Sequence, residues 1–523
     1  MQRKRKATPH IRFYVVALMF CIETLLFVGL FLLFLYAPFP IHYIWIPILV
    51  TVIVNAIGAT FIVSTKVNSG YKIAWLSVLT IFPLGGFLIY LLYADKITTK
   101  RMIKKRFNPI NSQLEQGRVD VAEYDQKLLE VNPRAAKISK YIQNYAHAGV
   151  SCKNEFTYFK LGDYAYEPMI AELKKAKRFI FMEYFIIEYG EFFDAIYEVL
   201  VEKAKEGVDV RLFYDDFGSV FKVKSFFFKQ AEKDGIKCVA FNRCRPFMDI
   251  RQNNRDHRKM MIIDGIVGFS GGMNIADEYV NKVERFGLWK DNCFMIKGEA
   301  VNDFTNLFLS NYKLIYKKED INFEKYFYKT NKDLLDHEIK EDGFIQPFGD
   351  VPFDNEETAR NVYLQMISQA KKTIYLSTPY FVPDAELLNA LLVASKSGVE
   401  VKIITPGIPD KKLVYAATRS YYSTLAFDGI KVYEYTPGFN HTKMMVVDGE
   451  MALTGTINFD YRSLYLHFEN GVFISNNSKV SELQSDLEEM VSVSTEIDYE
   501  KYMKPNFFKK IYWSILKIFA PLL

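Results

Sequence analysis

The sequence predicts an α/β protein made of two copies of one domain, preceded by N-terminal membrane-spanning helices. Three observations carry that prediction. Strand-like and helix-like segments alternate from about residue 155 onward, the order of those segments repeats later in the chain, and the first ninety residues hold three long apolar runs. Alternating strands and helices define layered α/β architectures. Three apolar runs crowded together favour membrane insertion over buried core helices. At 523 residues and 50% hydrophobic content, the chain has room for about three units. The net charge of +5 does not by itself call for nucleic acid. Five cysteines without CxxC spacing argue against a disulfide framework or a zinc site.

Residues 1–96 are read as the membrane region. Residues 1–12 carry Arg3, Lys4, Arg5, Lys6 and Arg12, and the expected spans are 13–36, 43–63 and 73–93. Glu23 interrupts the first, and an ionisable group there is by default a functional candidate, with packing as the plainer role. The third contains Pro83-Leu84-Gly85-Gly86, which either kinks it or makes it dip and return. Lys96, Lys100, Arg101, Lys104, Lys105 and Arg106 follow. The positive-inside rule places both basic segments in the cytoplasm, which three full crossings cannot satisfy. The expectation adopted is a catalytic region on the cytoplasmic face.

Residues 97–150 read as a polar linker with surface helices, broken at Asn132-Pro133. The first α/β domain is expected over 151–330, with a strand at Lys177–Ile187, an amphipathic helix at Glu191–Lys205 and a strand at Val208–Tyr214. The second is expected over 331–500. Ala370-Lys371-Lys372 repeats Ala176-Lys177-Arg178, and Gly398-Val399-Glu400-Val401 repeats Gly207-Val208-Asp209-Val210. The segment near 318–355, charged and carrying Gly343, Pro347, Gly349 and Pro352, reads as the junction. Residues 501–523 combine Lys504, Lys509, Lys510 and Lys517 with aromatic and aliphatic residues, the pattern of an interfacial amphipathic helix. A helix capping the core is the alternative.

The chemistry sits in a repeated motif, H-x-K-x4-D-x6-G-[GT]-x-N. One copy places His257, Lys259, Asp264 and Asn274, and the other His441, Lys443, Asp448 and Asn458. The fillings Met-Met-Ile-Ile and Met-Met-Val-Val are strands, each ending in an Asp-Gly hairpin turn. Side chains alternate along a strand, so each His and its Lys share a face, whereas each Asp has the opposite parity and reads as a turn organiser. An imidazole beside an ammonium suits an anionic phosphate, one attacking or protonating and the other holding oxygens. A single His-Lys pair is ordinary surface chemistry; two copies with the same downstream Asn are not.

The doubled motif resembles the phospholipase D superfamily, and flanking stretches resemble bacterial cardiolipin synthases more narrowly. Those stretches include Gly271-Gly272-Met273-Asn274, Leu288-Trp289-Lys290-Asp291, Thr378-Pro379-Tyr380-Phe381 and Asn458-Phe459-Asp460-Tyr461-Arg462-Ser463. The resemblance implies two phospholipase D-like α/β sandwich domains sharing one active site, which one chain assembles alone. It implies a catalytic set of His257, Lys259, Asp264, His441, Lys443 and Asp448, with Asn274 and Asn458 on the phosphate. Asp291 is expected to orient His257 and Glu469 to orient His441. His257 is expected as nucleophile and His441 as acid/base, without metal or cofactor. The expected substrate is phosphatidylglycerol within anionic membrane lipid, converted to cardiolipin and glycerol at the bacterial cell membrane. Membrane-bound phospholipase D hydrolysis is the first alternative. A nuclease is the second, and no nucleic-acid partner is expected, because the basic residues concentrate beside membrane segments. Three departures stand out: the extra first span, Thr456 in place of Ser, and His467 in place of Asn.

Overall fold

The structure is a computed structural model that describes residues 45–93, 122–243, 253–316, 319–352, 354 and 356–522, with scattered positions between 21 and 36. Most of the first expected span, Glu23 and the basic cluster at 96–106 lie outside the described residues.

The first copy supplies strands β1 (Ser151–Phe159), β2 (Phe179–Tyr184), β3 (Asp209–Asp215), β4 (Lys237–Phe241), β5 (Lys259–Ile263), β6 (Val267–Gly271), β7 (Leu288–Lys290) and β8 (Cys293–Gly298). The second supplies β9 (Glu341–Asp350), β10 (Thr373–Ser377), β11 (Glu400–Pro406), β12 (Lys431–Tyr435), β13 (Gly438–Asn440), β14 (Met444–Val447), β15 (Met451–Gly455), β16 (Glu469–Ser475) and β17 (Ser494–Glu496). Fifteen of them form one sheet, ordered β17-β12-β11-β10-β14-β15-β16-β9-β1-β8-β6-β5-β2-β3-β4. Outward from the β9–β1 seam the two halves repeat the same order, and β17 is an added edge. The sheet therefore displays the duplication directly.

The expected junction is corrected here. Residues 341–350 form β9, which pairs with β16 along its length and with β1 near its start. Gly343, Pro347 and Gly349 look like chain breakers, yet Pro347 lies beyond the stretch paired with β1, where its missing N–H is tolerated.

Both faces of the sheet are covered, which explains strands without polar alternation. Met260 and Ile262 join one core and Met261 and Ile263 another; Met444 and Val446 alternate with Met445 and Val447 in the same way. Both Asp-Gly turns form as expected, with positive φ at Asp264, Gly265, Asp448 and Gly449, the two-residue hairpin geometry that matches strand twist.

Before the sheet, α1 (Trp45–Ser64), α2 (Ser69–Ile81) and α3 (Pro83–Tyr93) pack together around Ile62, Leu79 and Tyr90. The third expected span is thus two helices of 13 and 11 residues, each too short to cross a bilayer. Pro83 begins the second helix, and Gly86 lies so close to the Val78 carbonyl that a Cβ would come within 2.9 Å of it, so the chain turns back. Among the described residues no helix is found long and apolar enough to cross a membrane. Helix α1 runs 20 residues without a charge, about 30 Å of rise.

Helix α4 (Phe507–Phe519) closes the described chain and packs on α2 while leaving Phe507 and Phe508 71% and 80% exposed. Asn68 Nδ2 donates to Tyr465 Oη at 2.8 Å, and Tyr71 packs edge-on against Tyr461 and Tyr465. The apolar helices are therefore docked on the helical turn Tyr461–Tyr465, three residues beyond Asn458.

Candidate active site

Each motif histidine is held by the backbone of the opposite half. His257 N donates to Phe468 O at 2.9 Å, and Phe468 N donates to Arg255 O at 2.9 Å. His441 N donates to Lys290 O at 2.7 Å, where β13 pairs in parallel with β7. These two cross-half bridges bring His257, Lys259, His441 and Lys443 into one buried site. The histidines keep only 8% and 6% of their surface exposed.

The same bridges fix the carboxylates, in the reverse of the expected pairing. His257 Nδ1 lies 2.9 and 3.0 Å from the two Glu469 oxygens, and His441 Nδ1 lies 2.6 Å from Asp291 Oδ2. Glu469 follows Phe468 and Asp291 follows Lys290, so each backbone contact delivers its carboxylate to the facing His. A carboxylate on Nδ1 leaves Nε2 free for chemistry.

The glycine positions match this geometry. A Cβ on Gly272 would fall 2.0 Å from Asp291 Oδ1, so glycine is needed there. The second copy has Thr456, whose Oγ1 donates to Glu469 Oε2 at 2.5 Å. Gly271 and Gly455 adopt φ of +146° and +152°, and a Cβ on either would strike a backbone carbonyl of the neighbouring strand.

Asp264 and Asp448, grouped with the catalytic set, stand about 20 Å along the strand from the histidines. Asp264 accepts from the backbone N–H groups of Lys177, Arg178 and Phe179. Asp448 accepts from those of Lys371, Lys372 and Thr373, and pairs with Arg134. They tie hairpin to sheet and do not enter the site. Asn274 Oδ1 accepts from Ile186 N at 3.0 Å, and Asn458 Oδ1 is buried without a partner.

Burial, then the nearby Lys259 and Lys443, hold both imidazoles well below the ordinary histidine value, so they are neutral at physiological pH. Burial also draws Lys259 down to about 7 and Lys443 to about 8, and raises Asp291 to about 6. A phosphate entering this site would meet two desolvated amines beside two neutral imidazoles. His257, His467 and Glu469 bring possible metal-ligand atoms within 4.8 Å of one another, but the two lysines make the site better suited to an anion than a cation.

Sequence reasoning missed the pair that rivets the halves. Asn470 Nδ2 donates to Ser270 Oγ and Asn292 Nδ2 to Thr454 Oγ1, each at 2.8 Å. Ser270 Oγ and Thr454 Oγ1 donate in turn to the carbonyls of Lys259 and Lys443. The repeated acid-Asn dipeptides Asp291-Asn292 and Glu469-Asn470 were the available signal. Aromatic walls were missed too: Phe185 faces His257 at 5.0 Å, and Tyr279 faces His441 at 5.6 Å.

A duplicated sheet with one paired His-Lys-Asn site at its seam defines the phospholipase D-like class. The family pattern described as cardiolipin synthase, phospholipase D-like domain matches residues 169–310 and 363–491. Cardiolipin synthases of Geobacillus sp. (strain WCH70) and Geobacillus kaustophilus are 33% and 35% identical, covering 90% and 86% of this chain and 92% and 88% of their own. An uncharacterized protein of Streptococcus mutans is 36% identical over 88% of this chain and 99% of its own. The crystal structure of a phosphatidylserine synthase from Haemophilus influenzae superposes with a TM-score of 0.54 at 16% identity, covering 74% of this chain and 98% of that one, and supports the fold. The chain belongs to the cardiolipin synthase family of phospholipase D-like proteins.

Proposed function

We propose that this protein is a cardiolipin synthase that moves a phosphatidyl group from one phosphatidylglycerol to another through a phosphatidyl-histidine. The observation that carries the reading is the pair of neutral histidines, each with Nδ1 on a buried carboxylate and a lysine alongside. His257 Nε2 attacks phosphorus; a P–N bond forms and the P–O bond to glycerol breaks. His441, charged once the bound anionic phosphate raises its affinity for a proton, gives the departing oxygen that proton from Nε2, then takes one from the acceptor hydroxyl. That oxygen forms the new P–O bond as the P–N bond breaks. Two displacements replace one difficult transfer. Lys259, Lys443, Asn274 and Asn458 would hold the non-bridging oxygens as charge develops.

Membrane association belongs to the same proposal. Helix α1 is long, uncharged and exposes Trp45, Leu49 and Ile57 at 57–63%. If 13–36 and α1 cross and α2–α3 dips and returns, the basic segments 1–12 and 96–106 fall on one side, as the positive-inside rule asks. The catalytic region then lies at the cytoplasmic face of a bacterial membrane.

The test uses purified protein and phosphatidylglycerol vesicles without added metal. Cardiolipin and glycerol should appear together, and both should vanish in His257→Ala and His441→Ala. Phosphatidic acid alone would move the protein to the hydrolases, and nucleic-acid cleavage without lipid turnover would refute the proposal.

A further inference from the structure

The structure assigns to His467 a role outside both motifs: we propose that its ring binds a head-group oxygen of the lipid seated against His257. The inference rests on the phosphatidyl-transfer reading and adds a substrate contact to it.

His467 is placed by the cross-half bridge that builds the site. Its neighbour Phe468 exchanges backbone hydrogen bonds with His257 and Arg255, which brings the two imidazole centroids to 5.5 Å. The side chain is only 11% exposed, and its Nδ1 is 3.7 Å from Glu469 Oε1, beyond hydrogen-bond reach. Glu469 is already occupied by His257 Nδ1 and Thr456 Oγ1. Both ring nitrogens of His467 are buried without a hydrogen-bond partner in the protein, as is Asn458 Oδ1 of the second motif. Unpaired buried polar groups are costly, and a buried ring with no hydrogen-bond partner 5.5 Å from His257 calls for a ligand that supplies one.

The chemistry of that ligand follows from the ring. Burial pushes the imidazole down to about 3, so at neutral pH it is uncharged, with one N–H donor and one bare nitrogen. An N–H donor suits a phosphate oxygen or a glycerol hydroxyl, and the bare nitrogen accepts from a hydroxyl. A divalent cation fits poorly, because Lys259 and Lys443 occupy the same site and Glu469 would have to leave His257.

The experiment compares wild type, His467→Leu and His467→Asn on phosphatidylglycerol vesicles, and on a phosphatidyl donor carrying p-nitrophenol in place of glycerol. Thermal midpoints are recorded alongside kcat and KM. His467→Leu should lose about 10- to 100-fold in kcat/KM on phosphatidylglycerol, the size of one lost hydrogen bond to a charged or desolvated oxygen. His467→Asn, which keeps an N–H donor, should recover most of the loss. An equal loss on the p-nitrophenyl donor assigns the phosphate oxygen; a loss confined to phosphatidylglycerol assigns the glycerol hydroxyl. Wild-type kinetics in His467→Leu would overturn the inference. So would a loss in both variants that tracks a lowered midpoint, since that marks a packing role. Failure of the wild-type protein to turn over either donor would remove the parent reading itself, a result distinct from either variant's behaviour.

Discussion

Lys259 and Lys443 set the pH range in which this site can hold a phosphate. Each amine binds an anion in its protonated form, which is present below its pKa and lost above it. With burial drawing the pair to about 7 and about 8, kcat/KM should fall as pH rises through 7–8. The histidines are depressed and stay neutral on the acid side, so they impose no limb near 6.5. The acid limb should instead begin near 6, where Asp291 protonates and releases its hold on His441. A profile from pH 5 to 9 checks this; full activity retained at pH 9 would contradict it. Gly272→Ala should act through Asp291 as well, since the added Cβ meets Oδ1 at 2.0 Å, and should lower kcat about 100-fold. The motif residues were legible from sequence because their spacing repeats. Which carboxylate serves which histidine was not, because contacts 150 and 212 residues apart decide it.

At the scale of elements, the two Asp-Gly hairpins are anchors for the catalytic strands. Asp264 accepts three backbone N–H groups, so Asp264→Ala should destabilise the fold by about 2–4 kcal/mol while leaving kcat of the folded fraction within a few-fold of wild type. Denaturant titration paired with active-site-normalised turnover separates this from a catalytic role, which would show lost turnover at unchanged stability. The strands themselves were readable because both sheet faces are covered, leaving apolar runs bounded by turn residues. Strand β9 was not, since Gly343, Pro347 and Gly349 imitate a linker until β16 supplies the pairing partner. The break at Pro83 was visible in sequence, but its fold-back depends on how closely Gly86 packs on Val78.

Across the whole molecule, the halves are one working unit. Each histidine takes its carboxylate and a backbone contact from the opposite copy, so neither half contains a complete site. The apolar helices dock beside Asn458 through Asn68 and Tyr71, which puts an exposed apolar surface next to the site. Replacing Phe507, Phe508 and Ile515 with serine should weaken vesicle binding at least tenfold in a sedimentation assay, since about 400–500 Å² of apolar surface is removed. Unchanged binding would mean that α4 only caps the core. The duplication was visible from the falling offset between repeats, 194 residues at Ala176/Ala370 and 184 at His257/His441. The exchange of partners across the seam required three dimensions.

That exchange is the central claim, and leaving-group dependence tests it most directly. A p-nitrophenyl phosphatidyl donor departs without a proton, so the first step no longer needs the acid. The first-turnover release of p-nitrophenol, up to one equivalent per enzyme, should then be largely restored in His441→Ala and in Asp291→Asn, and remain lost in His257→Ala and Glu469→Gln. Restoration in Glu469→Gln together with His441→Ala would contradict the cross-half pairing.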